Sequence, residues 1–525
     1  MPANNLGCSM IRAEYRERVL GFVDEEAGID PGKPAVLIGD ASLSYGDLDR
    51  RAAALAHVMV KHGVAVDDPV AVMLPNGFEI IEAGIATAKA GAAFLPVNWH
   101  LGSDEVGWIL SDSATRLLIS HIELADTARK ALEHAPDCAL VLVGDDSPQG
   151  YEGLLSDAPT GDPDVNARAT LSYRFYTSGT TGRPRGVERD NAVDDRTGAS
   201  TRRVLHMWGM TSSDVFLATG PIYHAAGSYA FLSLHAGSTV SVLSKFDGLS
   251  WLEAVDRHRV SVTLMVPAHF IRVLEVPSTD WEGLDLSSLR LVLHAAAPCP
   301  ISVKRRIMDA LPSADIWEFY GASEGGVSRI SSDEWRERPG SVGRPWPGVE
   351  VTIRDEDGAI LKAGETGLVY MTSPGGRFSY HQDPTKTEAA WRGESYTLGD
   401  VGHLDKDGYL YLTDRAADVV IRGGVNIYPA EIEQVLAAHP AVVDCAVFGV
   451  PDERSGEAIR ALVELRAPTD AADLIQHCRE HLAAYKCPQE IIEVPELPRD
   501  PSGKVRKRHL RDLAWEGHAN RIRVD

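Results

Sequence analysis

Cysteine is scarce in this chain: there are six in 525 residues, at positions 8, 138, 299, 445, 478 and 487, with no CxxC pair among them. Such scatter supports neither a disulfide framework nor a zinc site, and it fits a reducing compartment. Long apolar runs are also missing. The continuous ones are strand-sized, so no membrane span is expected. The opening stretch, MPANNLGCSMIRAEYRERVLGF, has no basic region followed by an apolar one, so no signal peptide is expected and the cytoplasm is the expected location. Positive charge is in short supply: 52 Lys and Arg stand against 75 Asp and Glu, a net charge of -23, which argues against general nucleic-acid binding. No internal repeat and no low-complexity tract is present.

What remains has the composition of an ordinary soluble globular protein, 44 % hydrophobic and 24 % charged. Its length exceeds what one compact core holds and predicts two or more domains. From about Ala35 to Pro300, strand-like runs (PVAVMLP, AFLPVNW, RLLIS, ALVLVG) alternate with helix-period stretches (SYGDLDRRAAALAHVMVKHG, FEIIEAGIATAKAG). That alternation predicts layered α/β structure with largely parallel sheets. The texture changes to hairpins at VEVTIRDEDGAI and HLDKDGYLYLTD. DKDG resembles the start of a calcium loop, but no glutamate closes it at the needed offset, so a plain hairpin is expected. Beyond TDRAADVVIRGG a smaller α+β pattern begins, with a helix opening at PAEIEQVLAAH, and it ends in the basic run SGKVRKRHLR.

One stretch cannot pack a core at all. Tyr176 to Arg189, YTSGTTGRPRGVER, holds three glycines, four Ser and Thr hydroxyls and three arginines. Glycines at 179, 182 and 186 let the backbone approach a ligand, and free N–H groups, hydroxyls and guanidinium groups together suit a polyphosphate. Composition alone allows a flexible surface loop equally well. The Walker spacing is absent, which disfavours a P-loop NTPase.

The stretch resembles the phosphate-binding signature of the adenylate-forming enzymes, the superfamily of acyl-CoA synthetases, luciferases and nonribosomal adenylation domains. Further family motifs follow in order: PIYHAAG at 221–227, HAAAPCP at 294–300, YGASE at 320–324, GETG at 364–367, YTLGD at 396–400, DRAADVVIRGGVNIYPAEIE at 414–433 and LPRDPSGKVRKRHLR at 497–511. The resemblance spans nearly the whole chain. It implies a large N-terminal adenylation domain, residues 1–415, of layered α/β subdomains plus a β-barrel-like part. A small mobile α+β domain, 418–525, would follow a hinge near Ala416-Ala417.

The resemblance also implies roles. Thr177, Ser178, Gly179, Thr180, Thr181, Gly182 and Arg185 would hold the ATP phosphates, Glu324 would ligate Mg²⁺, and Ser323 would meet the α-phosphate. Ala295, Ala296, Ala297, Tyr320 and Gly321 would border the adenine, and Asp400 and Arg415 the ribose. Lys504 would be the mobile lysine of adenylation, with Thr177, His224 and Glu324 beside it in the catalytic set. Gly423 and Gly424 would pass the pantetheine arm of CoA, and Lys486 would meet CoA phosphates. His224, Gly227, Ser228, Ala296, Gly321 and Val327 would line the acyl pocket, with His224 as its gate.

Three departures stand out. Arg185 replaces the usual lysine, bringing a planar fork in place of a point charge. Ala417 stands where the hinge normally carries Asp or Lys, which predicts a rotation without its polar latch. The segment from His294 to Ala297 replaces a glycine-richer version. Amino-acid-activating relatives carry an aspartate just after the 221–227 region; AAGSYAFLSL has none, so an acid without an α-amino group is expected. The resemblance then implies activation of a small carboxylic acid by ATP and transfer to CoA, by a monomer or homodimer. Alternatives are transfer to a carrier protein or an amine, activation of another oxyanion such as nitrite, and a nucleotide-binding protein without catalysis.

Overall fold

The computed structural model describes residues 29–165, 171–177, 184–189, 199–224, 227–322, 324–373, 377–452, 454–501 and 503–516. The runs read as buried strands pair side by side in one parallel sheet, in the order Ala139–Val143, Leu117–His121, Pro69–Met73, Ala93–Pro96 and Ser172–Tyr173. Helices Tyr45–Lys61 and Phe78–Lys89 carry the predicted apolar faces into the core. Ser44 caps the first by accepting from the Asp47 N–H at 3.1 Å, as a hydroxyl at that position should.

A second sheet of nine strands shares that core. Its centre, Asp315–Ala322, Leu291–His294, Val262–Met265, Val215–Ala218, Thr239–Val242 and Pro34–Ile38, is parallel, and antiparallel strands close both edges. Its strands Thr239–Val242, Val262–Met265 and Leu291–His294 are buried throughout, the expected consequence of helices covering both faces.

The hairpin-rich segment forms an antiparallel sheet, Glu350–Arg354, Gly367–Thr372, Ser395–Leu404 and Trp391–Arg392, with Leu410–Arg415 beside the long strand. The pairs run as an open path where a barrel-like part was expected. The DKDG run is the plain hairpin predicted: Asp405 Oδ1 accepts from the N–H groups of Asp407 and Tyr409, both at 2.9 Å.

The chain leaves this sheet at Arg415 and enters another at Val420. That last sheet, Val425–Ile427, Val420–Arg422, Gly456–Leu465 and Val442–Asp452 with Glu490–Glu493, has its own apolar core under helices Pro429–Ala437 and Ala471–His481. The basic run becomes helix Lys507–Trp515, which packs on the opposite face around Phe448 and Leu497. No described helix is long and apolar enough to cross a membrane. The five described cysteines are all buried and free.

Candidate active site

The glycine–hydroxyl stretch connects a β-hairpin. Phe175, Tyr176 and Thr177 pair with Val187, Gly186 and Arg185, and strand Phe378–Tyr380 extends the ribbon. Ser178, Gly179, Thr180, Thr181 and Gly182, together with the Thr177 side chain, lie outside the described residues. The base beneath them is firmly tied. The Tyr176 hydroxyl donates to Asp112 at 2.7 Å, and Glu188 holds Arg174 and His381, the latter at 2.8 Å. At Gly186 a Cβ would come within 3.0 Å of His381, so the ribbon has no room for a larger residue without movement.

Arg185 points from this base to Asp383, 3.7 Å away. Asp383 also caps helix Pro384–Ala390 by accepting from the Lys386 N–H at 3.0 Å, and the Lys386 ammonium lies 4.5 Å over the Tyr380 ring. Burial lowers the Lys386 pKa, with Arg185 next as a like charge. Two cations, Arg185 and Lys386, thus gather with the Asp383 carboxylate at one end of the hairpin. Glu324 faces the same end, its carboxylate accepting from the Tyr380 hydroxyl at 3.0 Å. A half-buried carboxylate with one oxygen oriented by a tyrosine and other acceptor capacity open is a hard-oxygen donor that fits Mg²⁺. Ser323 lies outside the described residues.

Across the cleft, Asp400 and Arg415 are register partners on neighbouring strands, with Arg415 Nε 3.4 Å from Asp400 Oδ1. The Tyr320 hydroxyl donates to the other oxygen, Oδ2. Burial raises the Asp400 pKa, and Arg415 and the Tyr320 hydroxyl oppose that rise. Most of the Arg415 side chain remains exposed, 65 % by area, and faces outward from the pair. Ala295, Ala296 and Ala297 follow strand Leu291–His294 in an accessible segment. Ala296 has φ +79°, the left-handed region where glycine is normally found; this is the physical reason for a glycine-richer version here. His294 itself is core: fully buried, next to the Lys304–Glu318 pair, with its pKa pushed well down by burial.

Lys504 reaches the site from the other end of the chain. Asp500 and Lys504 close a tight turn: Asp500 Oδ1 accepts from the Lys504 N–H at 3.1 Å, Asp500 N–H donates to Lys504 O at 2.8 Å, and Gly503 sits at φ +86°. The turn is seated on the large unit, since a Cβ built on Gly503 would lie 3.3 Å from Val266 Cγ2 and 3.6 Å from Ala268 Cβ. Lys504 remains exposed to the cleft, with Arg415, Asp500 and Asp400 as the charges around its ammonium. Burial lowers its pKa first and Arg415 second, while Asp500 and Asp400 pull the other way. His224 stands within the same field. Its Nε2 is buried with no hydrogen-bond partner among the described residues, and burial holds its pKa down at about 4, against Asp500. It is therefore a neutral imidazole at working pH.

The acyl-pocket expectations divide. Gly227 is tight backbone: a Cβ would come 2.0 Å from Ile222 O. Ser228 opens the helix Ser228–His235, whose Tyr229 ring lies 5.9 Å from Phe319, with Trp346 another 6.4 Å beyond. Gly321 lies against the Gly325–Gly326 backbone of the hairpin, and Trp346 covers Gly326 so closely that a Cβ there would come 2.3 Å from the indole. Val327 is a correction. It is fully buried in the core of the antiparallel sheet with Val342, Val351 and Tyr396, because strand alternation turns it inward.

Two placements concern the small unit. The Lys486 ammonium is bound by both Glu431 oxygens at 2.7 and 2.8 Å in this pose. The absent side chain at Ala417 does not leave the junction unlatched. Arg511, on the C-terminal helix, donates to the Ala417 carbonyl at 2.7 Å and to Asp418 at 2.8 Å. Gly423 and Gly424, both at positive φ, form an exposed hairpin tip that faces solvent. Sequence reasoning missed Tyr380, Lys386, Asp500 and Arg511. Only Asp500, four residues before the lysine in a Pro-Ser-Gly turn, left a readable signal.

The profile of the AMP-binding enzyme family matches residues 23–380, and that of the AMP-binding enzyme C-terminal domain matches 431–504. The chain is 33 % identical over 513 residues to the indoleacetate–CoA ligase of Aromatoleum aromaticum, covering 94 % of this chain and 97 % of that one. It is 34 % identical over 498 residues to a feruloyl-CoA synthase of Amycolatopsis sp, covering 92 % and 96 %. The ATP-bound crystal structure of MatB from Rhodopseudomonas palustris superposes with a TM-score of 0.82 at 28 % identity, over 96 % of this chain and 99 % of that one. The chain belongs to the AMP-binding enzyme family, within the adenylate-forming superfamily of acyl-CoA synthetases.

Proposed function

We propose that the protein joins an aryl carboxylic acid to CoA, as an AMP-forming ligase. The acid attacks the α-phosphate of ATP, releasing pyrophosphate and leaving an acyl-adenylate; the CoA thiol then displaces AMP. The observation that carries this reading is the seat of Lys504. Its turn rests on Val266 and Ala268, and its ammonium shares the cleft with Asp400, Arg415 and His224. An ammonium with a lowered pKa is costly until anions arrive, so it is placed to meet the carboxylate and the α-phosphate together as charge builds between them.

In this reading the 177–182 loop, Arg185 and Lys386 take the outer phosphates. Asp400 accepts from the ribose hydroxyls through Oδ1, Arg415 supports it, and Ser323 meets the α-phosphate. Mg²⁺ on Glu324 would neutralise phosphate charge when bound. Tyr320 contributes an edge anchored through its hydroxyl. Neutral His224 stands between the acid and the thiol path, where it excludes water without adding charge.

Tyr229, Phe319 and Trp346 pack as an aromatic cluster in and against the core behind Ser228, a setting that suits a flat ring better than a long chain. The named substrates of the two curated relatives, indoleacetate and ferulate, are aryl acids as well. After adenylation the unit beginning at Asp418 turns about Ala416-Ala417, withdraws Lys504 and brings the exposed Gly423-Gly424 tip to the CoA arm. The buried free thiols accord with a cytoplasmic setting.

The test is pyrophosphate and AMP release across a panel of aryl and alkyl acids, with and without CoA. CoA-dependent AMP release with aryl acids is expected. Turnover with an amine or carrier protein in place of CoA, or with alkyl acids only, overturns the assignment.

A further inference from the structure

Away from the nucleotide cleft, helix Ala471–His481 carries His477, Glu480 and His481 on one exposed face. One ligand atom from each lies within 4.8 Å of the other two. The spacing His-x-x-Glu-His puts two imidazoles four residues apart, one helical turn, with the carboxylate between them. The hydrogen bonds of the two rings give a second, independent observation. His477 Nε2 lies 3.1 Å from the Val435 carbonyl, and His481 Nδ1 lies 2.9 Å from the His477 carbonyl. A carbonyl accepts only, so each of those nitrogens carries the proton. The lone pairs are thereby assigned to His477 Nδ1 and His481 Nε2. Fixing the tautomer through a backbone carbonyl is the outer-shell arrangement that metal-binding histidines use.

Glu480 has its one hydrogen bond among the described residues from Gln476, at 3.2 Å, and the carboxylate keeps acceptor capacity. The His439 ring lies 5.0 Å from the His477 ring, adding a third imidazole beside the cluster. Cys478, next in the chain, takes no part. It points into the core, and burial pushes its thiol up to about 12.

We infer that His477, Glu480 and His481 form a site for a borderline divalent metal ion, Zn²⁺, Ni²⁺ or Cu²⁺, with water in the remaining position. Two imidazoles and one carboxylate select these ions over Mg²⁺ and Ca²⁺, which require oxygen ligands. The site is distinct from the Glu324 end of the cleft: its helix packs on Pro429–Ala437 and on strand Glu490–Glu493, within the small unit. Binding should therefore stabilise that unit without competing with ATP, because the helix holds the three ligands together in the native state and the ion favours that state.

The experiment titrates tag-free, EDTA-treated full-length protein with ZnCl₂ and NiCl₂ by calorimetry, with MgCl₂ as the contrast and thermal unfolding as a second readout. One equivalent should bind, melting should rise with Zn²⁺ or Ni²⁺, and His481→Ala should weaken binding on the order of tenfold or more. His481 is exposed, so that variant should fold and keep its ligase activity. Absence of stoichiometric uptake, or uptake unchanged in His477→Ala/His481→Ala, overturns the site. Because Glu324→Gln should abolish Mg²⁺-dependent turnover yet bind Zn²⁺ normally, failure of this site and failure of the ligase reading are separable.

Discussion

The two halves of the cleft hold their charged groups by opposite means. On the large unit, Asp400 and Arg415 are set in register by strand pairing, Tyr320 is hydrogen-bonded to Asp400, and Glu324 is steadied by Tyr380. On the small unit, Lys504 sits on a five-residue turn whose internal order comes from Asp500, and whose Gly503 approaches Val266 and Ala268 of the large unit. The neighbouring polar contacts are light: Gln434 Oε1 accepts from the Ile301 N–H at 2.9 Å, Ser302 donates to Ala437 O at 3.0 Å, and two exposed ion pairs lie nearby. Exposed pairs of that kind contribute about 0–1 kcal/mol each. In the proposed mechanism the binding half is pre-organised and the lysine is delivered.

The strongest way to break that contrast is to remove the delivered charge. Lys504→Ala should lower pyrophosphate release on the order of 100-fold or more, while acyl-CoA formation from supplied adenylate stays near wild type. Equal loss in both half-reactions would make Lys504 part of the fixed half. Next in size, Arg511→Ala frees the Ala417 carbonyl and Asp418 at the junction. Adenylation should fall by about tenfold with KM for ATP unchanged, the signature of lost positioning rather than lost binding. An equal drop in both half-reactions would indicate a folding defect instead.

On the pre-organised side, Tyr380→Phe removes one hydrogen bond from Glu324. The Mg²⁺ concentration for half-maximal activity should rise by about tenfold, with kcat recovered at saturation. The pH response is smaller. His224 has an unfolded-state pKa near 6.5 and a folded one of about 4, so between those values the unfolded chain binds the extra proton. Stability should be fully present above about pH 6.5 and fall as pH drops toward 4, and His224→Gln should flatten that slope in thermal unfolding. Smallest of all, Ala296→Gly should stabilise slightly or be neutral, because its φ of +79° costs about 1 kcal/mol for alanine.

Most of the fold was legible because it rests on local periodicity. Every strand and helix named from alternation, from Pro69–Met73 to Pro429–Ala437, lies where its pattern indicated. The site was legible only as motif order. Lys504 and Glu324 could be named, but Tyr380, which orients Glu324, is 56 residues away in an unremarkable strand. Arg511 could not be found either, since 94 residues separate it from the Ala417 carbonyl it holds. Val327 was misplaced because a residue beside a motif was assigned to the pocket, whereas strand alternation decides which face it occupies. Long-range hydrogen bonds carry no periodic trace.

Alternation between two poses is the claim on which the account depends, and a reversible tether tests it most directly. A Cβ at Gly503 would lie 3.6 Å from that of Ala268, within disulfide reach; the positive φ of Gly503 strains a cysteine there, so the reduced variant is the reference, and the five described native thiols are buried. With Ala268→Cys/Gly503→Cys oxidised, one equivalent of pyrophosphate and bound adenylate should form, no acyl-CoA should appear, and reductant should restore transfer. Acyl-CoA formation at the reduced protein's rate, with the cross-link verified, would contradict the delivery of Lys504 by a moving domain.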